Sequence, residues 1–501
     1  MWQSLKKGFS LIFLLFAISG VARAADSYYF DYNDRCKNAY EAMIALRINE
    51  AKLLLKQELE EHPRNLIPVM IANYEDCLVL LFNGDAAEYK SRKSNFEHRL
   101  SLIDKGDSHS PWYRYAKAVL YFQWAAIRIR FEENFQAGVE FRKSFLYLKE
   151  NRKRFPTFKY NQLLFGLEQA IVGTVPEKYK WVANMLGLKG NVKSGTAQVV
   201  NFLNTRDGST AQMRQEAVLY YCYLKFYLLS EREAVWKYLD ASSLDFKSNH
   251  LFVYLKASLA LNDNKAALAE QVLTSRSGTS DYLDVPVFHY MMGNALLFKL
   301  DPACIVYFQR FLSKNRGRIY IKDAFQKMSL FYYATGDQER ADQYRSKILK
   351  FGSTLTDADK QAQRFAQNQI KPDAGLLKAR LYSDGGYFDK ALDLFAAMHE
   401  EDYTSDADRL EFRYRYGKIY QLTGQDDKAI PLLESAVKLG ANRPEQFGAR
   451  AALELGQIYE ARGQRSKAIE YYKQCVNMKD HDFEGSLEQK AKAGINRLGG
   501  N

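Results

Sequence analysis

The seven histidines are where metal or acid–base chemistry would first show: His62, His98, His109, His250, His289, His399 and His481. No two stand four apart in the H-x-x-x-H frame that puts two imidazoles on one helix face, and H-E-x-x-H is absent. Neither a G-x-S-x-G elbow, a phosphate loop nor a dinucleotide fingerprint occurs. Asp357-Ala358-Asp359 could suggest a cation loop, but the EF-hand pattern around it is missing, and acids at that spacing suit a helix start. Glu400-Glu401 reads as a solvated helix end, and Arg152-Lys153-Arg154 before Pro156 as cations complementing a helix C-terminus. The five cysteines, Cys36, Cys77, Cys222, Cys304 and Cys475, form no C-x-x-C pair, and their number leaves at least one unbridged within the chain. Most lie in apolar helical stretches, where cysteine behaves as a small hydrophobe; a Cys36–Cys77 bridge stays open. These residues predict no catalytic site, no metal and no cofactor.

The elements that carry these residues are helical. The chain has 501 residues, 47% hydrophobic, with only 29 Gly and 10 Pro, and good helix formers dominate. At its start Lys6 and Lys7 precede an apolar run from Leu11 to Ile18 and the small-residue site Ala22-Arg23-Ala24. That order predicts a secretory signal peptide over 1–24, with cleavage after Ala24 and 501 − 24 = 477 residues remaining. No Cys follows the site directly, and no later segment reaches the length of a membrane helix, so no transmembrane anchor is expected after cleavage. The address implied is periplasmic or secreted. The net charge of +12 falls to +9 once Lys6, Lys7 and Arg23 are removed. The excess is spread along the chain, suits an acidic partner or an anionic envelope surface, and forms no stripe for nucleic acid.

Three segments in the C-terminal third align on small and aromatic positions. They are Ala379, Tyr382, Gly386, Ala391, Phe395; then Gly417, Tyr420, Gly424, Ala429, Leu433; then Gly456, Tyr459, Gly463, Ala468, Tyr472. The tyrosines are 420 − 382 = 38 and 459 − 420 = 39 residues apart. A small residue lets helix A approach helix B, the Tyr fills the gap between them, Gly ends helix A in a left-handed cap, and the Ala on helix B again allows close approach. This pattern resembles the tetratricopeptide repeat. Weaker copies occur at Ser329, Tyr332, Gly336, Ala341; at Ala257, Ala260, Asn264, Ala269; at Gly293 with Phe308; and at Ala51 with Pro63.

The resemblance implies an all-α, right-handed α-solenoid (superhelix) of about a dozen TPR-like hairpins, stacked because one hairpin cannot bury its own apolar face. The segments read as a degenerate array over 25–350, an extra helix or connector over 351–372, clear repeat units over 373–496 and a tail over 497–501.

Residues 165–204 break the rhythm. Thr174 with Glu177 around Pro176 predicts a capping box and a short helix, closed by Gly187-Leu188-Lys189-Gly190-Asn191, with a further helix after Ser194-Gly195-Thr196. Gly187, Gly190 and Gly195 make this stretch similar to the eukaryotic inclusion-body-clearance family of tetratricopeptide proteins. Leu188 replaces that family's aromatic and Asn191 its Asp. Shared architecture is what this resemblance implies. Trp181, Met185, Leu186 and Leu188 suit an apolar contact with lipid or a partner, but their helical spacing favours burial between repeats.

The function expected is a periplasmic scaffold that binds another protein or peptide, one of the cell envelope, through a concave groove. Its wall would be formed by helix-A residues beside the packing positions: Tyr333, Arg380, Ser383, Tyr414, Lys418, Gln421, Gln457 and Glu460. The alternative is a glycan- or nutrient-binding solenoid serving an outer-membrane transporter, and a third reading is a structural envelope component. Abundant aromatic side chains leave room for either kind of ligand.

Overall fold

The computed structural model describes residues 27–501 apart from 207, 209, 212, 279, 369–370, 482 and 500–501, so the leader predicted over 1–24 lies outside the described residues. Among the described residues there are no strands, only two isolated bridges, Tyr28 with Gly106 and Tyr29 with Asn65. The chain is an all-α repeat solenoid of antiparallel hairpins, in two compact units that divide near 256–318.

The first unit is built around the long pair Pro111–Arg130 and Asn134–Arg154, with Asp34–Ile44 and Ile48–Glu61 on one hairpin and Tyr160–Gly173 and Val192–Asn204 on another. Trp124 is fully buried, and its indole N–H donates to Asn73 Oδ1 at 3.0 Å, so the largest core side chain brings no unsatisfied donor with it. Arg128 and Glu140 pair at 2.6 Å inside the same layer. In the same unit the buried Glu216 carboxylate pairs with no cation among the described residues and accepts from the hydroxyls of Tyr40 (2.6 Å), Tyr74 (3.0 Å) and Tyr220. Burial pushes its pKa up, against the opposing pull of the three hydroxyls. Glu168, bonded to Ser144, is raised further by burial.

Helices Tyr160–Gly173 and Val192–Asn204 cross at two glycines: a Cβ on Gly195 would sit 2.4 Å from the Gly166 carbonyl oxygen. The second of these helices starts at Val192, capped by the Asn191 side chain accepting from Ser194 N at 3.1 Å, so Gly195 lies inside it rather than ahead of it. The capping box expected from Thr174 and Glu177 does not form. Thr174 ends the preceding helix and donates its hydroxyl to Ile171 O at 2.7 Å, which leaves Pro176 as the start of helix Glu177–Met185 with no side-chain cap.

The second unit runs through the hairpins Val287–Leu297/Ala303–Lys314 and Ile321–Thr335/Gln338–Lys350, the single helix Asp357–Gln367, and three further hairpins ending at Asn477, closed by Glu484–Arg497. Asp357 and Asp359 do sit in a first helical turn, under a Thr356 cap whose hydroxyl accepts from Asp359 N at 3.1 Å. The weak upstream copy at 257–269 is a genuine hairpin turn. Asn264 takes the left-handed conformation (φ 53°), and its side chain donates to Ser383 O at 3.2 Å and Asp384 O at 3.0 Å. Gly386 must be glycine there, because its φ is +82° and a Cβ would stand 1.8 Å from the Asn264 carbonyl oxygen.

All five cysteines are buried and free, so no Cys36–Cys77 bridge exists. No described helix is long and apolar enough to cross a membrane.

Candidate functional site

The three C-terminal hairpins pack as their small residues require. Gly417 faces Leu433, whose Cγ would be 2.9 Å from an added Cβ, and Gly456 faces the ring of Tyr472 at 2.5 Å. Ala379, Ala391, Ala429 and Ala468 are wholly buried, and each helix A ends at a left-handed glycine, Gly386, Gly424 or Gly463. With those positions turned inward, the residues one step further round helix A lie on the adjoining face.

On helices Asp406–Leu422 and Phe447–Ala461 this face carries a polar row. Lys418 Nζ meets Glu454 Oε2 at 2.8 Å and donates to Gln421 Oε1 at 2.8 Å; Gln421 Nε2 in turn reaches Glu454 O at 3.5 Å. Gln457 is exposed beside them. Glu460 is held by Arg497 (Nε to Oε1 3.0 Å, Nη2 to Oε2 2.9 Å) and by the Tyr472 hydroxyl. The Arg497 contact leads in lowering the pKa of Glu460. Half-buried Arg380 reaches Asp384 at 3.5 Å, and Ser383 gives its carbonyl to Asn264. The structure therefore joins Lys418 and Gln421 to Glu454, leaves Gln457 exposed one turn on from Glu454, places Glu460 further along in a contact with the closing helix, and keeps Arg380 and Ser383 on a separate hairpin.

Two predicted groove residues are corrected. Tyr414 lies three positions before Gly417 and so one helical turn back on the packing face, where Leu376 and Leu453 are buried in the corresponding places. It is itself buried and stacks on Phe447 with centroids 5.4 Å apart. Tyr333 is fully buried because helix Asp357–Gln367 covers it: the ring meets Phe365 edge-on, and its hydroxyl donates to Asp342. Glu454 was missed. Its signal was charge: it stands two before Gly456, where Arg415 stands two before Gly417, so that position reverses sign between successive repeats.

The apolar segment is also corrected. Their helical spacing favours burial, yet Trp181 (65%), Met185 (71%) and Leu186 (39%) are exposed, and Leu188 is half-buried. Helix Glu177–Met185 turns Val182 and Ala183 inward, and the packing it would have joined is already filled by the crossing of Tyr160–Gly173 with Val192–Asn204. Among the described residues no three His, Cys, Asp or Glu side chains cluster as metal ligands. His250, stacked on Tyr282 at 3.6 Å, has its pKa pushed down to about 4 by burial.

The result is a helical-repeat array with a polar row on the adjoining face of helix A. A family model described as the tetratricopeptide repeat matches residues 408–480, which contain the last two clear units. Among solved structures, the chain is similar to the TPR domain of P58(IPK), at 12% identity over 86% of this chain and 98% of that one, with a TM-score of 0.22. It is also similar to a chain of the Naa15/Naa10 complex bound to HypK-THB, at 14% identity over 93% of this chain and 66% of that one, with a TM-score of 0.25. No curated protein matches.

Proposed function

We propose that this protein is exported by its leader and acts in the periplasm as a non-catalytic scaffold, binding a segment of an envelope protein along helices Asp406–Leu422 and Phe447–Ala461. The observation that carries this is the row Lys418, Gln421, Glu454 and Gln457: two half-buried polar side chains, a buried carboxylate paired with the lysine, and one exposed amide. Opposite charges one repeat apart give a bound segment a defined register, since each can be exchanged for a contact to the ligand.

The test is a pull-down from envelope extract with the parent chain and with K418A/Q421A/Q457A. Loss of the partners retained by the parent supports the groove; recovery of the same set with the triple variant ends it. Export is tested separately by N-terminal sequencing of the protein from the periplasmic fraction. A chain starting at Ala25 supports it, and a retained Met1 in a cytoplasmic fraction refutes it.

A further inference from the structure

We propose that helix Glu177–Met185 and the turn after it form a docking knob for an anionic lipid surface. Trp181 and Met185 are one helical turn apart and so point the same way, at 65% and 71% exposure, with Leu186 at 39% next to Met185. A protein seldom leaves large apolar side chains grouped in water at such exposure. The knob is anchored from below by few contacts: Arg142 Nε donates to Leu186 O at 2.9 Å, and Gly187 turns the chain at φ +77° above Leu146. It is a projection fixed to helix Asn134–Arg154, not a piece of the core.

Charge selects the occupant. Across the knob and the helix after it, from Glu177 to Asn204, the sequence holds four lysines (178, 180, 189, 193) and one acid, Glu177. Lys189 and Lys193 are exposed at the foot of the knob. A second copy of this surface would bring like charges together. A fluid headgroup layer can close around an exposed Trp and Met while its phosphates meet the lysines. Trp and Tyr at headgroup depth, with cations nearby, is the chemistry of an interfacial anchor. This reading of the knob does not depend on the helix-A row.

The experiment is vesicle flotation of the full chain with phosphatidylcholine alone or mixed with phosphatidylglycerol, beside the variants W181S/M185S and K189E/K193E. All three chains share residues 1–26, so differences between them report on the knob. The parent should bind the mixed vesicles, and added salt should weaken that binding. W181S/M185S should bind at least about tenfold more weakly, on the apolar surface removed. K189E/K193E should lose about tenfold on anionic vesicles and nothing on neutral ones. The substituted side chains are exposed, so circular dichroism should be unchanged; if one pair unfolds, the other still decides. Equal flotation of the parent and the folded variants, or equal binding to both vesicle types, overturns the proposal. So does capture by an acidic amphipathic peptide in place of vesicles.

Discussion

Substituting Gly456 with Ala should destabilise the protein, yet the same substitution should stabilise a chain that lacks the Tyr472 ring. A Cβ at 456 would lie 2.5 Å from Tyr472 Cδ1, far inside contact distance. The ring cannot retreat, because the Cβ position of Gly494 on its other side is 2.5 Å from Cε2. Overpacking of this kind costs about 1–3 kcal/mol. Ala in place of a helical Gly returns about 1 kcal/mol, so G456A should come out destabilising by up to about 2 kcal/mol. With Tyr472→Ala, itself costing about 3–5 kcal/mol, the clash is gone and only the helix gain of about 1 kcal/mol remains. The coupling is then about 1–3 kcal/mol, in the range for residues in direct contact. Urea unfolding of the four chains measures it, with hydrogen exchange over 447–477 locating the effect, since a repeat array need not unfold in one step. If G456A has the same sign and size in both backgrounds, the close approach of helix to ring is not what that glycine is for.

Two further predictions concern buried groups. Glu216 has a folded pKa above its unfolded one, so its stabilisation is full below the ordinary carboxyl range and is lost as pH rises towards the folded value. Over that window the slope approaches about 1.4 kcal/mol per pH unit. E216Q should flatten the fall in urea midpoint with rising pH, and E216Q/E168Q should flatten it further; an unchanged slope would show that the carboxyl stays ionised. Burial holds all five thiols at pKa values of about 12, so Ellman's reagent should find none of them at neutral pH without urea and all five in it. Fast labelling of any one in the native chain would contradict its placement.

The repeats were legible because their packing rests on the absence of side-chain bulk, which sequence records directly. Gly417, Gly456 and the caps at Gly386, Gly424 and Gly463 all sit where their spacing put them, and even the degenerate Asn264 takes the left-handed cap. The groove was legible only in part. One repeat pattern assigns the same face to every helix A, yet a helix outside the pattern, Asp357–Gln367, buries Tyr333, and a one-turn offset buries Tyr414. The knob was misread for a related reason. Helical spacing of Trp181 and Met185 shows that they share a side, but only the closed crossing at Gly166 and Gly195 shows that no core remained for that side to enter.

The grip of Asn264 on the turn at 383–386 changes how the second unit responds to force or heat. It ties residues 119 and 120 positions apart, spanning the hairpins Val287–Leu297/Ala303–Lys314 and Ile321–Thr335/Gln338–Lys350 and the helix Asp357–Gln367 between them. Phe298 adds to the tie, its Cβ 2.6 Å from where a Cβ on Gly385 would be, as does the Lys299–Glu270 pair at 2.9 Å. An array linked only neighbour to neighbour peels from its ends one hairpin at a time. Here the intervening helices are enclosed in a loop fastened at both sides, so they cannot fray before the fastening opens, and the second unit's helices between 287 and 386 should melt as one block.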